Sequence, residues 1–291
     1  MQHIFSIYRR NYGDKSVKRI RKKYIFALKL YVRINICSFF FTHNVSAEKS
    51  SKNLVIIPTY NEKENIINII DAVFALAMPF HVLIIDDGSP DGTADLVKKH
   101  QKNFPENLHI VERKGKLGLG TAYIAGFRWG LERDYDFICE MDADFSHSPK
   151  DLVRLVETCQ QGADMAVGSR YVRGGDVKNW SKDRILLSYG ASLYVRSITW
   201  MPVNDPTAGF VCFARKVLET IDLNKIKFIG YAFQIEMKFA THTLGFKIKE
   251  IPITFVDRVE GVSKMNTSIV GEALKGVLSM RWRALNGTYG K

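Results

Sequence analysis

Asp142 and Asp144, two carboxylates separated by a single alanine, are the side chains of this sequence best suited to binding a metal ion. They follow residues 135–141, a largely apolar run that predicts a buried strand. Mg²⁺ and Mn²⁺ prefer oxygen ligands, and they usually bind through one or two carboxylates together with substrate phosphates. The Asp142-Ala143-Asp144 triplet therefore predicts a site for a metal-bound diphosphate. A polar turn after a strand is the alternative interpretation.

Polar residues also follow two other apolar segments. Residues 54–57 lead into Pro-Thr-Tyr-Asn-Glu at 58–62, and residues 81–85 lead into Asp86 and Asp87. Ligands of open parallel sheets bind beyond the carboxyl ends of the strands. If all three segments end parallel strands, their polar residues meet at one sheet edge and form one site.

The hydrophobic pattern from residue 53 onward predicts the scaffold that such a site needs. Strands and helices alternate, which is typical of an α/β fold with a mostly parallel central sheet flanked by helices on both faces. We expect Thr93 to cap one helix, Pro149 to open another, and the last helix to pack on the core. The predicted strands are 54–57, 81–85, 108–111, 135–141 and 165–167, and the predicted helices begin near residues 66, 93, 120, 149 and 269.

The length of the chain and the spacing of its cysteines favour a globular protein that folds in a reducing compartment. The chain has 291 residues, of which 46% are hydrophobic, and this is enough to bury a full core. Its four cysteines are scattered, without the spacing of a metal site or a disulfide framework, which favours a reducing compartment. Cys139 and Cys212 lie in apolar runs and are predicted to be core thiols.

The formal net charge of +12 is concentrated at the N-terminus. Residues 1–52 contain 12 Lys and Arg against two acids, whereas the remaining chain is nearly neutral. Basicity along the whole chain would favour nucleic acid, but this distribution favours a basic arm that meets anionic lipid headgroups. A solvated disordered tail, or a start codon assigned too far upstream, are the alternatives.

The apolar part of that arm is a poor membrane span. Lys29 and Arg33 interrupt residues 24–41, and no small-residue cleavage site follows a clean apolar run. An interfacial amphipathic helix is compatible with this pattern, and we predict no transmembrane span in the chain. The predicted organisation is a basic extension at 1–52 and one α/β domain at 53–285.

Six motifs together resemble one family of enzymes. The chain is similar to the inverting nucleotide-sugar glycosyltransferases of the GT-A fold and, within them, to the polyprenyl-phosphate mannosyltransferases, which include the dolichyl-phosphate mannose synthases. The motifs occur in family order between about residues 53 and 280. They are PTYNE (58–62), IDDGSPDGT (85–93), KLGLGTAY (116–123), MDADFSH (141–147), GSRY (168–171) and VDRVEGVSK (256–264).

The resemblance implies roles for individual residues. Asp142 and Asp144 would hold Mg²⁺ or Mn²⁺, and Ser146 stands where some members have a metal-binding Gln, so a third ligand is left open, with water as a candidate. Arg170, Arg258 and Lys264 would contact phosphates or the sugar, and Asp144, Arg258 and Lys264 form the predicted catalytic set. The residues expected to line the nucleoside pocket are Pro58, Tyr60, Glu62, Ile85, Asp87 and Ala143.

The implied reaction moves mannose from GDP-mannose to a polyprenyl (dolichyl) phosphate with inversion. The acceptor is a phosphomonoester that is already anionic at neutral pH, so we assign no general base, although Asp144 or Glu236 are candidates. The implied location is peripheral, on the cytoplasmic face of a membrane. The need for a membrane partner subunit is left open.

Three alternatives remain at this point. A UDP-glucose:polyprenyl-phosphate glucosyltransferase would share the fold and differ in its donor. A nicotinamide-dependent dehydrogenase would need a Gly-rich turn after the first strand, where this chain has residues 58–62 instead. A catalytically inactive membrane-binding protein would not need Asp142, Asp144, Arg258 and Lys264 together.

Overall fold

A computed structural model describes residues 51–230, 232–257 and 267–291. The basic extension at 1–50, Arg258 and Lys264 lie outside the described residues. The strands are β1 (Asn53–Thr59), β2 (His81–Asp86), β3 (Leu108–Glu112), β4 (Phe137–Glu140), β5 (Met165–Ser169), β6 (Asp176–Lys178), β7 (Val211–Ala214), β8 (Ile248–Pro252) and β9 (Thr254–Val256). The helices are α1 (Ile66–Phe74), α2 (Thr93–Gln101), α3 (Leu119–Leu131), α4 (Asp151–Gln160), α5 (Lys182–Thr199), α6 (Arg215–Thr220), α7 (Ala232–Thr243) and α8 (Thr267–Leu285).

Seven strands form the central sheet, in the order β3-β2-β1-β4-β7-β5-β8. All neighbouring pairs are parallel except the two that involve β7, which is antiparallel to both β4 and β5. The predicted mostly parallel sheet flanked by helices is therefore confirmed. A second sheet contains β6 and β9, which pair in parallel.

The apolar runs of the central strands are buried on both faces, and each face has its own core. Leu54 and Ile56 of β1 face a core with residues of α3, α5, α6, α7 and α8, whereas Val55 and Ile57 face a core with residues of α1, α2 and α4. Successive residues of a strand point to opposite faces, so one continuous apolar strand can supply both cores.

Most predicted elements are found within a few residues of their predicted bounds, and one predicted cap is displaced. Gly92, not Thr93, occupies the N-cap position of α2. The Asp91 carboxylate accepts hydrogen bonds from both the backbone N–H and the hydroxyl of Thr93, so the preceding acid performs the capping. Thr93 instead begins the helix.

Two further expectations concern the cysteines and membrane spans. Cys139, Cys159 and Cys212 are buried free thiols, as predicted for Cys139 and Cys212. Within the described ranges, no helix combines the length and the apolar character that crossing a bilayer requires. The last helix, α8, packs against α5 and α7, with Val277 and Met280 buried, as predicted.

Candidate active site

The strand order brings the predicted site segments to one edge of the sheet. β1 lies between β2 and β4 and is parallel to both, so the carboxyl ends of the three strands lie at the same edge of the sheet. The segments at this edge are residues 58–62, Asp86-Asp87 and the Asp142-Ala143-Asp144 triplet. Neighbouring strands lie about 4.8 Å apart, so three adjacent strands end within reach of one small ligand. The prediction that one sheet edge collects these segments is confirmed.

The reversed direction of β7 adds a fourth segment to this edge. Because β7 is antiparallel to β5, the loop that precedes β7 lies beside the residues that follow β5. Arg170 follows β5, and Asp205 belongs to the loop before β7. The Arg170 guanidinium donates to both carboxylate oxygens of Asp205, at 2.7 and 2.6 Å, and to the Thr207 hydroxyl at 2.8 Å.

The loops after β1 and β2 are held together by an internal hydrogen-bond network. Asp86 is buried and accepts bonds from the hydroxyls of Thr59, at 2.8 Å, and Ser89, at 2.6 Å. The Ser89 hydroxyl in turn accepts from the backbone N–H of Asn61, and the Thr93 hydroxyl accepts from that of Glu62. Asp86 therefore has a structural role, holding the loop that contains Tyr60 and Glu62.

Asp87 lies in a buried ion pair that the sequence analysis missed. Arg113 follows β3 and contacts Asp87 through Nε at 2.6 Å and Nη2 at 2.5 Å, and both side chains are about nine-tenths buried. Arg113 also donates to the Thr121 hydroxyl at 2.7 Å. The sequence signal that could have identified Arg113 is its position, because it is the first residue after a third parallel strand whose carboxyl end lies at the same edge of the sheet.

The expected nucleoside-pocket residues divide by their exposure. Pro58, Tyr60 and Glu62 are partly exposed at the sheet edge, and the Lys116 ammonium lies 5.1 Å from the centre of the Tyr60 ring. Ile85 is fully buried and its side chain belongs to the core that includes Tyr123. Ala143 is also buried. The partly exposed residues can offer a ring, a carboxylate and a cation to a ligand.

Asp142 and Asp144 are presented by a tight loop after β4. The Asp142 side chain is 35% exposed, so it reaches solvent at this edge of the sheet. One Asp144 oxygen accepts from the Ser146 backbone N–H at 3.0 Å, which orients this carboxylate. Among the described residues, no group of three or more His, Cys, Asp and Glu side chains has the arrangement of a complete metal site. Two acidic oxygen donors fit a hard divalent ion that takes its other ligands from water and a diphosphate.

His147 lies directly beneath this loop. It is buried between the rings of Phe210, at 4.8 Å, and Phe255, at 5.3 Å, and its Nδ1 atom lies 3.9 Å from an Asp142 oxygen. Burial lowers the pKa of His147 to about 4, although Asp144 opposes this shift. The imidazole is therefore neutral at pH 7, and it packs against the acidic loop without neutralising its charge.

A second buried polar cluster supports the site from α7. Gln234 donates to Glu140, the last residue of β4, at 2.7 Å. The Lys238 ammonium donates to the Ala208 carbonyl at 2.5 Å and to the Gln234 carbonyl at 3.2 Å. Burial raises the pKa of Glu140 and lowers that of Lys238. The cluster connects β4, the loop before β7 and helix α7.

Two further predicted site residues are Arg258, whose preceding neighbour the structure describes, and Glu236. Asp257, the last described residue before Arg258, donates its backbone N–H to Lys178, and the neighbouring Val256 N–H donates to the Ser146 carbonyl. This pairing brings the chain that leads to Arg258 next to the acidic loop. Glu236 is fully buried, and its carboxylate bonds the Arg283 guanidinium and the backbone N–H groups of Lys227 and Phe228. These partners argue against Glu236 as a general base.

Comparison of the sequence with known proteins shows one matching family model and two relatives of high identity. Residues 54–222 match the model of the family described as Glycosyl transferase family 2. The chain is 46% identical over 225 residues to the polyprenol monophosphomannose synthase of Mycolicibacterium smegmatis, covering 77% of this chain and 85% of that protein. It is 45% identical over 241 residues to the undecaprenyl-phosphate mannosyltransferase of Micrococcus luteus, covering 81% of this chain and 98% of that protein.

Solved structures share the fold at lower identity. Glucosyl-3-phosphoglycerate synthase from Mycobacterium tuberculosis, in complex with Mn²⁺, UDP and phosphoglyceric acid, matches with a TM-score of 0.57 and 17% identity, over 82% of this chain and 80% of that one. The mannosyltransferase PcManGT from Pyrobaculum calidifontis, in complex with GDP-Man and Mn²⁺, matches with a TM-score of 0.50 and 17% identity, over 82% and 75%. At this identity the structural similarity establishes the fold alone.

Proposed function

Since the chain belongs to glycosyl transferase family 2, we propose that it transfers mannose from GDP-mannose to the phosphate of a polyprenyl phosphate. The products are polyprenyl-phosphate β-mannose and GDP, formed with inversion at the sugar carbon. The observation that most supports this proposal is the 45–46% identity, over most of both chains, to two proteins named for polyprenyl-phosphate mannosyl transfer.

The donor would bind where the three parallel strands end. Tyr60 and Pro58 offer flat apolar surfaces to the base, and Glu62 offers a carboxylate to its N–H groups. Asp87 is held by Arg113, and it would form the floor of this pocket together with the backbones of Ile85 and Ala143. Lys116, whose ammonium lies over the Tyr60 ring, would contact the diphosphate.

Asp142 and Asp144 would hold a divalent cation, Mg²⁺ or Mn²⁺, on the donor diphosphate. Such an ion supplies charge neutralisation as negative charge grows on the leaving GDP. Both solved structures named above contain Mn²⁺, and the two acidic oxygen donors of this chain suit either metal. The Ser146 N–H fixes the Asp144 carboxylate, and neutral His147 leaves the acidic charge of the loop intact.

The acceptor needs no base, because its phosphate oxygen is already an anion near neutral pH. That oxygen attacks the anomeric carbon, a new C–O bond forms, and the bond to the diphosphate oxygen breaks. Repulsion between two anionic substrates opposes their approach, and Arg258 and Lys264 would offset it. Arg170 would act from its ion pair with Asp205, which anchors the same side of the site.

The acceptor also determines where the enzyme would work. A polyprenyl chain stays in the bilayer, so the site must reach the membrane surface, and we propose peripheral attachment on the cytoplasmic face. The basic extension at 1–52 would add attraction to anionic headgroups. A membrane partner subunit would be a further means of attachment.

The experiment that tests the proposal measures transfer of radiolabelled sugar to a short polyprenyl phosphate in detergent. GDP-mannose and UDP-glucose are supplied in parallel, each with Mn²⁺ and with EDTA. We expect metal-dependent label in the lipid phase from GDP-mannose alone. Label from UDP-glucose alone would retain the fold and the acceptor but overturn the donor, and absence of transfer from either donor would refute the proposal.

A further inference from the structure

Lys238 of helix α7 is a buried cation that the proposed mechanism does not use. Its side chain is fully buried, and its ammonium donates to the Ala208 carbonyl at 2.5 Å and to the Gln234 carbonyl at 3.2 Å. Burying an ammonium is unfavourable unless hydrogen bonds and opposite charges compensate for the lost water. An apolar side chain would fill the same position without this cost, so the ammonium needs a role beyond packing.

Opposite charges lie close to this ammonium. The Gln234 side-chain oxygen accepts from Lys238 at 3.4 Å, and its amide nitrogen donates to the Glu140 carboxylate at 2.7 Å. Burial lowers the pKa of Lys238 to about 8, although the charges of Glu140 and Asp205 oppose this shift. The amide of Gln234 therefore connects the cation to a carboxylate that lies two residues before Asp142.

Lys238 binds one end of an irregular segment between α5 and β7, residues 204–209, which we call the 204–209 loop. Near the other end, the Glu250 carboxylate of β8 accepts from the backbone N–H of Asp205 at 2.9 Å. The Asp205 carboxylate in turn accepts from the Arg170 guanidinium. Irregular backbone lacks the hydrogen-bond ladder of a sheet, so these charged side chains determine the shape of the loop.

The strand order places the 204–209 loop beyond the acidic loop as seen from the expected nucleoside pocket. β2 and β1 lie on one side of β4, and β7 and β5 lie on the other side. Asp142 and Asp144 follow β4, between the two groups. Under the proposed function, inversion requires the acceptor oxygen to attack the sugar carbon opposite the departing diphosphate. The acceptor phosphate would therefore bind on the side of Arg170 and the 204–209 loop.

We propose that Lys238 is a positioning residue for the acceptor phosphate. Its ammonium fixes the 204–209 loop through the Ala208 carbonyl, and Asp205 of that loop holds the Arg170 guanidinium. The buried carboxylates around Lys238 compensate for its charge. This inference rests on the proposed function, and it identifies a side chain that sets the geometry of the acceptor site without touching the substrate.

Three variants and a control separate positioning from charge balance. Lys238→Met keeps the length of the side chain and removes its donors, but it also leaves the Glu140 carboxylate buried without its cation. The double variant Lys238→Met with Glu140→Gln removes both charges, and Glu140→Gln alone is its reference. The matched control is Thr241→Val, because this buried hydroxyl on the same helix donates to the Met237 carbonyl of its own helix at 2.8 Å. Initial rates are measured against GDP-mannose, Mn²⁺ and a short, water-soluble prenyl phosphate in turn.

We expect Lys238→Met to raise the acceptor KM about tenfold, because a charge-assisted hydrogen bond no longer orients the loop. The kcat, the KM for GDP-mannose and the dependence on Mn²⁺ should stay within about twofold of the wild type, because the donor strands are untouched. The melting temperature of Lys238→Met should fall by at least about 6 °C, since a buried charge loses its partner. Thr241→Val should match the wild type in every kinetic constant.

The double variant decides between the two roles. It should recover part of the lost melting temperature, and its acceptor KM should still exceed that of Glu140→Gln alone by about tenfold. A double variant with the acceptor KM of Glu140→Gln would overturn the proposal, because Lys238 would then only balance charge. Equal increases in the KM values of donor and acceptor would also overturn it, because the loop would then not act on the acceptor side.

Amide hydrogen exchange separates this inference from the proposed function. Measured by mass spectrometry without substrates, exchange at residues 204–209 should be at least about tenfold faster in the double variant than in Glu140→Gln, and unchanged in Thr241→Val. If the wild type transfers no mannose but this difference is found, the proposed function fails and the hold of Lys238 on the loop stands. Equal exchange in the double variant and in Glu140→Gln would overturn the inference whatever the transfer assay gives.

Discussion

At the scale of single residues, the ion pair between Arg170 and Asp205 makes the stability of the fold depend on the ionisation of one buried carboxylate. Asp205 is fully buried and accepts from the backbone N–H, Nε and Nη2 of Arg170. Burial alone would raise the pKa of Asp205, but the hydrogen bonds and charge of Arg170 outweigh it and hold the pKa below the ordinary value of 3.8. The pair therefore contributes stability only while Asp205 is ionised.

Replacing Asp205 tests this account. Asp205→Asn leaves the Arg170 charge buried without its partner, so we expect a loss of about 3 kcal/mol in the free energy of unfolding at pH 7. The folded-state pKa of Asp205 is lowered, so its contribution is complete above about pH 4 and is lost as the pH falls through the folded value. Urea unfolding at several pH values should show a constant gap between wild type and variant down to about pH 4.

Below about pH 4, the difference in the free energy of unfolding between the wild type and Asp205→Asn should become smaller. Arg196→Gln, on the partly exposed surface of α5, is the control that should leave the free energy of unfolding within about 0.5 kcal/mol of wild type. A gap that stays constant well below pH 4, or an Asp205→Asn protein as stable as the wild type, would contradict the assignment of stabilisation to this ion pair.

Sequence reasoning reached some residues of the site and missed others for a physical reason. The acids at 142 and 144, and the polar residues after β1 and β2, follow apolar strands and could be placed at an edge. The partners Arg113 and Asp205 could not be assigned, because an ion pair depends on which strand ends are neighbours in space. Lys238 and Gln234 lie on a helix whose residues 232–241 are all buried, where periodicity does not mark a functional side.

At the scale of elements, the fit of α3 on the sheet depends on two glycines. A Cβ atom at Gly126 would lie 2.7 Å from Ile56 Cδ1, and one at Gly130 would lie 2.9 Å from Leu54 Cδ2. Both leucine and isoleucine are completely buried. The absent side chains let α3 approach β1 closely, which positions the loop 113–118 at the amino end of this helix against Asp87.

Two alanine substitutions separate close packing from helix propensity. Gly126→Ala should destabilise the fold by about 1–3 kcal/mol, since the added methyl group overlaps the fully buried Ile56 side chain. Gly190→Ala, in the exposed middle of α5 with no atom within 4 Å of the new Cβ, should stabilise by about 0.5–1 kcal/mol. Urea unfolding measures both, and a similar gain in stability for the two variants would show that α3 does not depend on close contact.

The alternation of strands and helices could be predicted from hydrophobic periodicity, but the direction of β7 could not. Residues 211–214 form a short apolar strand, and nothing in four residues distinguishes a parallel from an antiparallel neighbour. The direction follows from the path of the chain after α5, which returns to the site edge before β7 begins. The cap of α2 was misplaced by one residue because Asp91 and Thr93 are both good capping residues.

At the scale of the whole molecule, the described chain from 51 to 291 groups as one compact unit. The residues of its two hydrophobic cores lie in the sequence between Leu54 and Tyr289. The predicted boundary near residue 52 stays a prediction, because the structure describes nothing before residue 51. The pattern of charge supports it, since the basic excess is confined to that extension.

Deleting residues 2–50 tests the boundary. We expect a cooperative thermal transition within about 3 °C of the full chain, since each kcal/mol lost would shift the midpoint of a domain of this size by about 2–4 °C. Circular dichroism during heating measures this. Deletion of residues 2–65 is the matched control and should abolish cooperative unfolding, because it removes β1 from the centre of the sheet. A truncated 51–291 chain that unfolds without cooperativity would refute the predicted boundary.

The central claim is that Asp142, with Asp144, holds the divalent cation on which mannosyl transfer depends. The most direct measurement is the rate of mannose transfer from saturating GDP-mannose during titration with Mn²⁺, for wild type, Asp142→Ala and the exposed control Asp95→Ala. The account predicts that the wild type and the control depend on Mn²⁺ alike, and that Asp142→Ala loses at least about a hundredfold in rate. An Asp142→Ala protein with the wild-type rate and the wild-type dependence on Mn²⁺ would contradict it.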